Sequence, residues 1–294
     1  MRTRDQGLAL IVMVLWGMNF VVIDWGLSGV PPLVFVALRF SVVLLALPFV
    51  ARPAASMPRI LAVGLAMSAG QFGFMYTALA VGMPPGLASL VLQAQALFTT
   101  VIAVFALHER PLLLQLGGLG LGTVGLFVVG LGRGGAVPMM GLILTVAAAL
   151  SWATGNVLVR YLKVPGGLGL TVWSALAVPI PMFALAAIVD SPVVVADALT
   201  HLSIINWLST LYTAVLASLV GYGIWNSLLA RYPASSVAPF SLLVPPVGMA
   251  TAWVAYGEQP TLLAMFGGVL LVAGVAAVTV RSRRRITPAL AKAT

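Results

Sequence analysis

Ten stretches of mostly apolar residues, each close to the length that crosses a bilayer, dominate this chain: about 7–27, 31–51, 59–81, 85–107, 112–131, 137–160, 168–189, 204–230, 234–256 and 261–280. A helix rises about 1.5 Å per residue, so roughly 20 residues match a hydrocarbon layer of ~30 Å. The breaks carry Gly and Pro, as in Gly82-Met83-Pro84-Pro85, Gly132-Arg133-Gly134-Gly135 and Pro165-Gly166-Gly167. Only 7% of side chains are charged and 61% are hydrophobic, whereas a water-bathed surface needs about a quarter charged. The expected fold class is an all-α membrane protein of ten transmembrane helices.

A net charge of +9 would direct a soluble protein toward nucleic acid. Here the basic residues stand in short gaps between apolar runs, where they orient helices; the expected partners are the lipid bilayer and a small-molecule substrate, with no nucleic acid. With the N-terminus in the cytoplasm, Arg2, Arg4, Arg52, Arg59, Arg110, Arg160, Lys163, Arg231, Arg281, Arg283, Arg284, Arg285 and Lys292 all fall inside, and Arg133 alone falls outside. This one-sided tally requires an even number of crossings, with both termini cytoplasmic in a bacterial inner (plasma) membrane. The first apolar run leads to Pro31 and Pro32, not to a small-residue cleavage site, so it is expected to stay as a helix. The absence of cysteine excludes disulfides, thiolate metal sites and Cys nucleophiles. There is no GxxxxGK[ST] loop and no metal-ligand cluster, so neither cofactor, metal nor enzymatic activity is expected.

A constant offset of 149 residues aligns the third to fifth helices of one half with those of the other. Tyr76 meets Trp225, Pro84 meets Pro233, Glu109 with Pro111 meets Glu258 with Pro260, Gly118 meets Gly267, and Gly125 meets Gly274. Upstream the offset shortens, and Trp16 and Asn19 match Trp152 and Asn156. Five helices per half force the halves to run oppositely, which puts Glu109 and Glu258 on opposite sides of the membrane. Inverted repeats of this kind place a substrate site near the midplane and give two conformations, each open to one face. The expected units are 1–132, 137–281 and a basic tail, 282–294.

The residues that carry a family resemblance are Leu15-Trp16-Gly17-Met18-Asn19-Phe20, Ala37-Leu38-Arg39-Phe40 and the run Gly86 to Gln95 in the first half. In the second half they are Ser151-Trp152-Ala153-Thr154-Gly155-Asn156, Val220-Gly221-Tyr222-Gly223-Ile224-Trp225 and Gly257-Glu258. In this order they resemble the EamA-type members of the drug/metabolite transporter superfamily over nearly the whole chain. His108-Glu109 departs from the Gly-Glu that the family usually carries there. Gln93-Ala94-Gln95 and Val220 to Trp225 look most similar to bacterial exporters of cysteine-pathway metabolites, with aromatic amino acid exporters as close relatives. The resemblance implies two inverted five-helix repeats, alternating access, and a central cavity lined by helices 1, 3, 4, 6, 8 and 9.

Trp16 with Asn19, and Trp152 with Asn156, set an indole and a carboxamide about one turn apart, where an amino acid would find donors, acceptors and an aromatic wall. The bland alternative is packing glue between helices. Gln71, Tyr76, Gln93 and Gln95 facing Tyr222, Trp225, Asn226 and Ser241 form a second polar and aromatic set. Gln93 and Gln95, two residues apart on an α-helix, do not share a face, so one of them is expected to reach substrate, with the choice open. Arg39 is the one basic residue inside an apolar span. It is read either as a gate or substrate-carboxylate contact, with Asp24 as a candidate partner, or as a snorkelling side chain. Glu109 and Glu258 are read as caps of the helices that follow them, in preference to proton carriers. Pro239, Pro245 and Pro246 are expected to interrupt helix 9 as a hinge, and the glycines of helices 5 and 10 mark close packing or a dimer face.

These features point to a secondary transporter that exports amino acids and related small metabolites by alternating access, through facilitated diffusion or exchange. The alternatives are a proton-coupled drug or metabolite efflux carrier, a passive channel and a non-transporting scaffold.

Overall fold

Ten apolar helices hold most of the described residues: α1 (Thr3–Gly26), α2 (Pro32–Phe49), α3 (Met57–Ala80), α4 (Pro85–Ala106), α5 (Leu113–Leu131), α6 (Met139–Tyr161), α7 (Leu168–Val189), α8 (Ile204–Arg231), the shorter α9 (Phe240–Tyr256) and α10 (Leu262–Thr279), with one short helix, Pro192–Thr200, between α7 and α8. The structure is a computed structural model that describes residues 1–132, 137–232 and 234–279, with Ala234, Ser235, Ala238 and Pro239 as backbone only. The expectations on Arg133, Pro233 and the tail from Arg281 lie outside these residues. Pro32, Pro58 and Pro85 sit in first turns, where the missing N–H would have had no intrahelical partner anyway. A belt of large apolar side chains faces outward, with Phe105 75%, Phe127 71%, Val254 78% and Ile188 81% exposed. Such a surface is stable when bathed in lipid, not water; this is a multi-pass membrane protein.

Contacts across the bundle sort the connections into two ends. At one end Asp5 pairs with Arg231 at 2.9 Å and accepts from the Tyr232 hydroxyl at 2.6 Å, while Glu109 pairs with Arg160. At the other, Tyr256 donates to Asp24 at 2.6 Å and Asn206 donates to the Gly26 and Ser28 carbonyls at 2.9 and 3.0 Å. Glu258 belongs to this second end, and α4 separates it from Glu109 by about 33 Å at 1.5 Å per residue.

Gly118 and Gly125 of α5 pack on Gly274 and Gly267 of α10 within the chain. A Cβ on Gly125 would lie 2.4 Å from the Leu271 nitrogen, and one on Gly274 would lie 2.4 Å from the Gly122 nitrogen. These glycines are therefore consumed by an internal interface, and Leu113 and Phe127 of α5 point outward instead.

Helix winding repeats between the halves as well. In α3, residues Leu65–Gly70 are π-helical, and in α8 the counterpart Tyr212–Val220 is too. In α4, Leu92–Ala94 form a 3-10 turn, and Ala238–Leu243 form one before the α-helical part of α9. Each π-segment has a carbonyl taken by the first helix of the opposite half. Trp16 Nε1 of α1 donates to Ala217 O at 2.9 Å, and Ser151 Oγ of α6 donates to Ala66 O at 2.8 Å. The Ala66 carbonyl also accepts from the Gln71 N–H of the π-turn, so Ser151 adds a second bond that crosses the halves.

Candidate transport cavity

The four irregular segments converge on a cavity of about 410 Å³ between the halves, within the range of small-molecule sites. Trp16, Asn19, Gln71, Gln93 and Gln95 line it from the first half, and Trp152, Asn156, Tyr222, Trp225, Asn226 and Ser241 from the second. Tyr76, predicted from sequence to belong with them, stands behind the wall: it is fully buried, and its hydroxyl accepts from Arg39 Nη1 at 3.0 Å. The lining also includes Arg39 and Phe40 of α2 and Leu170, Thr171 and Ser174 of α7, two helices beyond the six implied by the resemblance.

Both glutamines reach the cavity, against the expectation that one would. The 3-10 turn just before Gln95 is the cause. Two residues apart on an α-helix stand about 200° around the axis, whereas tighter winding turns them about 240°, so both flank one wall. Gln95 Oε1 accepts from Asn156 Nδ2 at 3.1 Å, which ties α4 to α6 across the cavity.

The aromatic wall is a cluster around Trp16, whose ring centroid lies 5.1 Å from Tyr222 and 5.4 Å from Trp225, both tilted. With its Nε1 held by Ala217, Trp16 offers a face and not a donor. Trp152 differs: its buried Nε1 has no partner, and neither has the Asn19 carboxamide oxygen.

Arg39 does not snorkel. It is 2% exposed, and Nη2 donates to Ser218 Oγ at 3.0 Å while the guanidinium carbon sits 4.1 Å from the Phe72 ring centre. Asp24, its candidate partner from sequence, is bonded to Tyr256 instead, because the depth of two antiparallel helices was too coarse a guide to pairing.

Glu258 caps a helix, though a different one from that expected. Its carboxylate accepts from Gly86 N at 3.0 Å and Leu87 N at 3.1 Å, the first turn of α4 in the opposite half. The turn of α10 is served by Thr261 Oγ1, which accepts from Ala264 N at 3.1 Å, and that of α5 by Gln115, which accepts from Leu112 N at 2.9 Å. Glu109, the inverted counterpart, is exposed and paired with Arg160. The two ends therefore differ. Near Glu258 the bundle is sealed over Leu87, whereas near Glu109 the cavity reaches the exposed Gly166 of the α6–α7 connection. Pro245 and Pro246 stand in the first turn of the α-helical part, Val244–Tyr256, so they start it and do not break it; the irregularity precedes them, in the 3-10 segment that contains Pro239.

The winding breaks and cross-half bonds were not singled out by sequence reasoning. Their available signals were Gly70 and Gly221, where a Cβ would meet Ser151 Oγ at 2.3 Å and Trp16 Nε1 at 2.7 Å.

With this geometry in view, a family model, the EamA-like transporter family, matches residues 6–131 and 139–280. The chain belongs to the EamA-like transporter family. Within it, the chain is 43% identical over 282 residues to a probable amino-acid metabolite efflux pump of Salmonella typhimurium, and equally to one of Escherichia coli, covering 94% of each chain in both cases. It is 29% identical over 291 residues to a probable terminal-alkyne amino-acid exporter of Streptantibioticus cattleyicolor, again with 94% of each chain covered. A solved crystal structure, 20% identical, superposes at a TM-score of 0.60 over 97% of this chain and 100% of its own, a likeness of fold.

Proposed function

We propose that this transporter exports amino acids or related small metabolites from the cytoplasm by alternating access, with Glu109, Arg160 and both termini on the cytoplasmic side of a bacterial plasma membrane. The observation that carries this reading is the asymmetry of an otherwise two-fold cavity: one end is sealed by Glu258 on α4, and the other is open at Gly166. In an inverted repeat, the exchange of these roles generates the opposite-facing state. Export and substrate class follow from the similarity to proteins named amino-acid metabolite efflux pumps.

The lining pairs an aromatic wall with carboxamides and no described carboxylate, which accords with facilitated diffusion or exchange more than with proton coupling. Residues 238–243, where winding changes, are the proposed hinge of α9. Counterflow in proteoliposomes tests the whole reading: labelled amino acids and their N-acetyl derivatives, screened as a panel, should include members that accumulate transiently against preloaded unlabelled substrate and saturate. Linear, non-saturating flux, or none for any member of the panel, would refute it.

A further inference from the structure

Among the described residues Arg39 has no counter-ion. All six acidic residues lie elsewhere: Asp5 on Arg231, Asp24 on Tyr256, Glu109 on Arg160, Glu258 on the α4 amides, and Asp190 and Asp197 in the α7–α8 connection. Arg39 is nonetheless 2% exposed, and it lines the cavity as the one charged side chain among the described residues there. Its two terminal nitrogens are fixed by neutral oxygens of Tyr76 and Ser218, and a ring of Phe72 covers one face. These contacts aim the group without neutralising it. Its Nε is buried with no partner.

A buried charge of this kind is costly unless an opposite charge arrives. Nor is the rest of the wall neutral in its hydrogen-bonding pattern. Two donors are left over, Arg39 Nε and Trp152 Nε1, against one acceptor, the Asn19 oxygen. A carboxylate is acceptor-only and suits a wall with surplus donors, and an amide N–H in place of an ammonium suits the single free acceptor. A free ammonium group brings three donors and a positive charge into a low-dielectric space that already holds Arg39, where repulsion is strong.

We propose that the cavity selects a net negative substrate, a small carboxylate whose nitrogen is acylated, over the corresponding zwitterion, with Arg39 as its counter-charge. This rests on the carrier reading above. It also supplies a driving force without a coupling ion, because a membrane potential negative inside expels an anion carried alone. A potential of 100 mV is worth about 2.3 kcal/mol per charge, about a 50-fold shift in equilibrium distribution.

The test compares N-acetylalanine with alanine in proteoliposomes of the full chain, with and without a valinomycin-set potassium potential. N-acetylalanine is expected to be carried at least tenfold faster than alanine, with a distribution that an imposed 100 mV moves by about 50-fold and that of alanine unmoved. Arg39→Gln should erase the preference, and Arg39→Lys, which keeps the charge, should restore part of it. If alanine is carried as fast as N-acetylalanine, or if Arg39→Gln keeps the preference, the selection by charge is overturned while the exporter reading stands. If neither compound is carried but other amino acids of the panel are, the charge rule again falls alone; if nothing in the panel is carried, both fall. A poorly folding Arg39→Gln leaves the comparison in the parent protein and Arg39→Lys to decide.

Discussion

Removing the Glu258 side chain should open the sealed end. In the parent, Glu258 accepts two backbone N–H bonds at 3.0 and 3.1 Å from the first turn of α4. Substitution of a helix cap by alanine costs about 1 kcal/mol net, and loss of a negative charge at a helix N-terminus adds up to about 1 kcal/mol more. The sum, about 2 kcal/mol, shifts the open-to-sealed ratio by about 30-fold at 1.36 kcal/mol per decade. Glu258→Gln keeps one acceptor but no charge, and should shift it about fivefold. The chain contains no cysteine, so a single reporter at Leu87, 4% exposed beneath the seal, reads the change without background. In right-side-out vesicles the rate at which a membrane-impermeant maleimide labels Leu87→Cys should rise by those factors in the two backgrounds. Rates within twofold of the parent in Glu258→Ala would refute the view that this carboxylate holds the seal.

Gly125→Ala places a Cβ 2.4 Å from a backbone nitrogen of α10 that cannot yield, and should cost about 1–3 kcal/mol in detergent unfolding, whereas Gly120→Ala, with nothing within 4 Å, should be neutral or stabilising. His108, at φ 53°, matches Gly257 at φ 65° in the other half, so His108→Gly should raise stability by about 0.5 kcal/mol, and a loss on thermal melting would contradict the strain.

The number of helices and the inversion of the halves were legible because both are written in one dimension. A bilayer fixes the length of each apolar run, and Glu109, Gly118 and Gly125 repeat in register with Glu258, Gly267 and Gly274. The polar and aromatic lining was legible in outline for a related reason: carboxamides such as Asn19 and Gln71 are costly against lipid and so face inward. What escaped was rotation about the helix axis. Gln93 and Gln95 share a wall only because three residues wind tightly, and no local propensity marks Leu92–Ala94. Pairing across the bundle escaped as well. Glu258 meets α4 and Arg39 meets Ser218 through contacts separated by 172 and 179 residues, and apolar periodicity carries no record of such partners.

The exchange of donors between halves bears on the order of biogenesis. When α3 has left the translocon, Ser151 is still unsynthesised, so the Ala66 carbonyl has only the Gln71 N–H of its own π-turn as a donor. The bond that fastens this segment to the opposite half therefore forms only after α6 arrives. By the same logic Trp16 waits for Ala217. Fastening of the cavity walls is thus a late, post-insertion event, and a ribosome-released fragment ending after α5 should reach the membrane with its third helix lacking that tie.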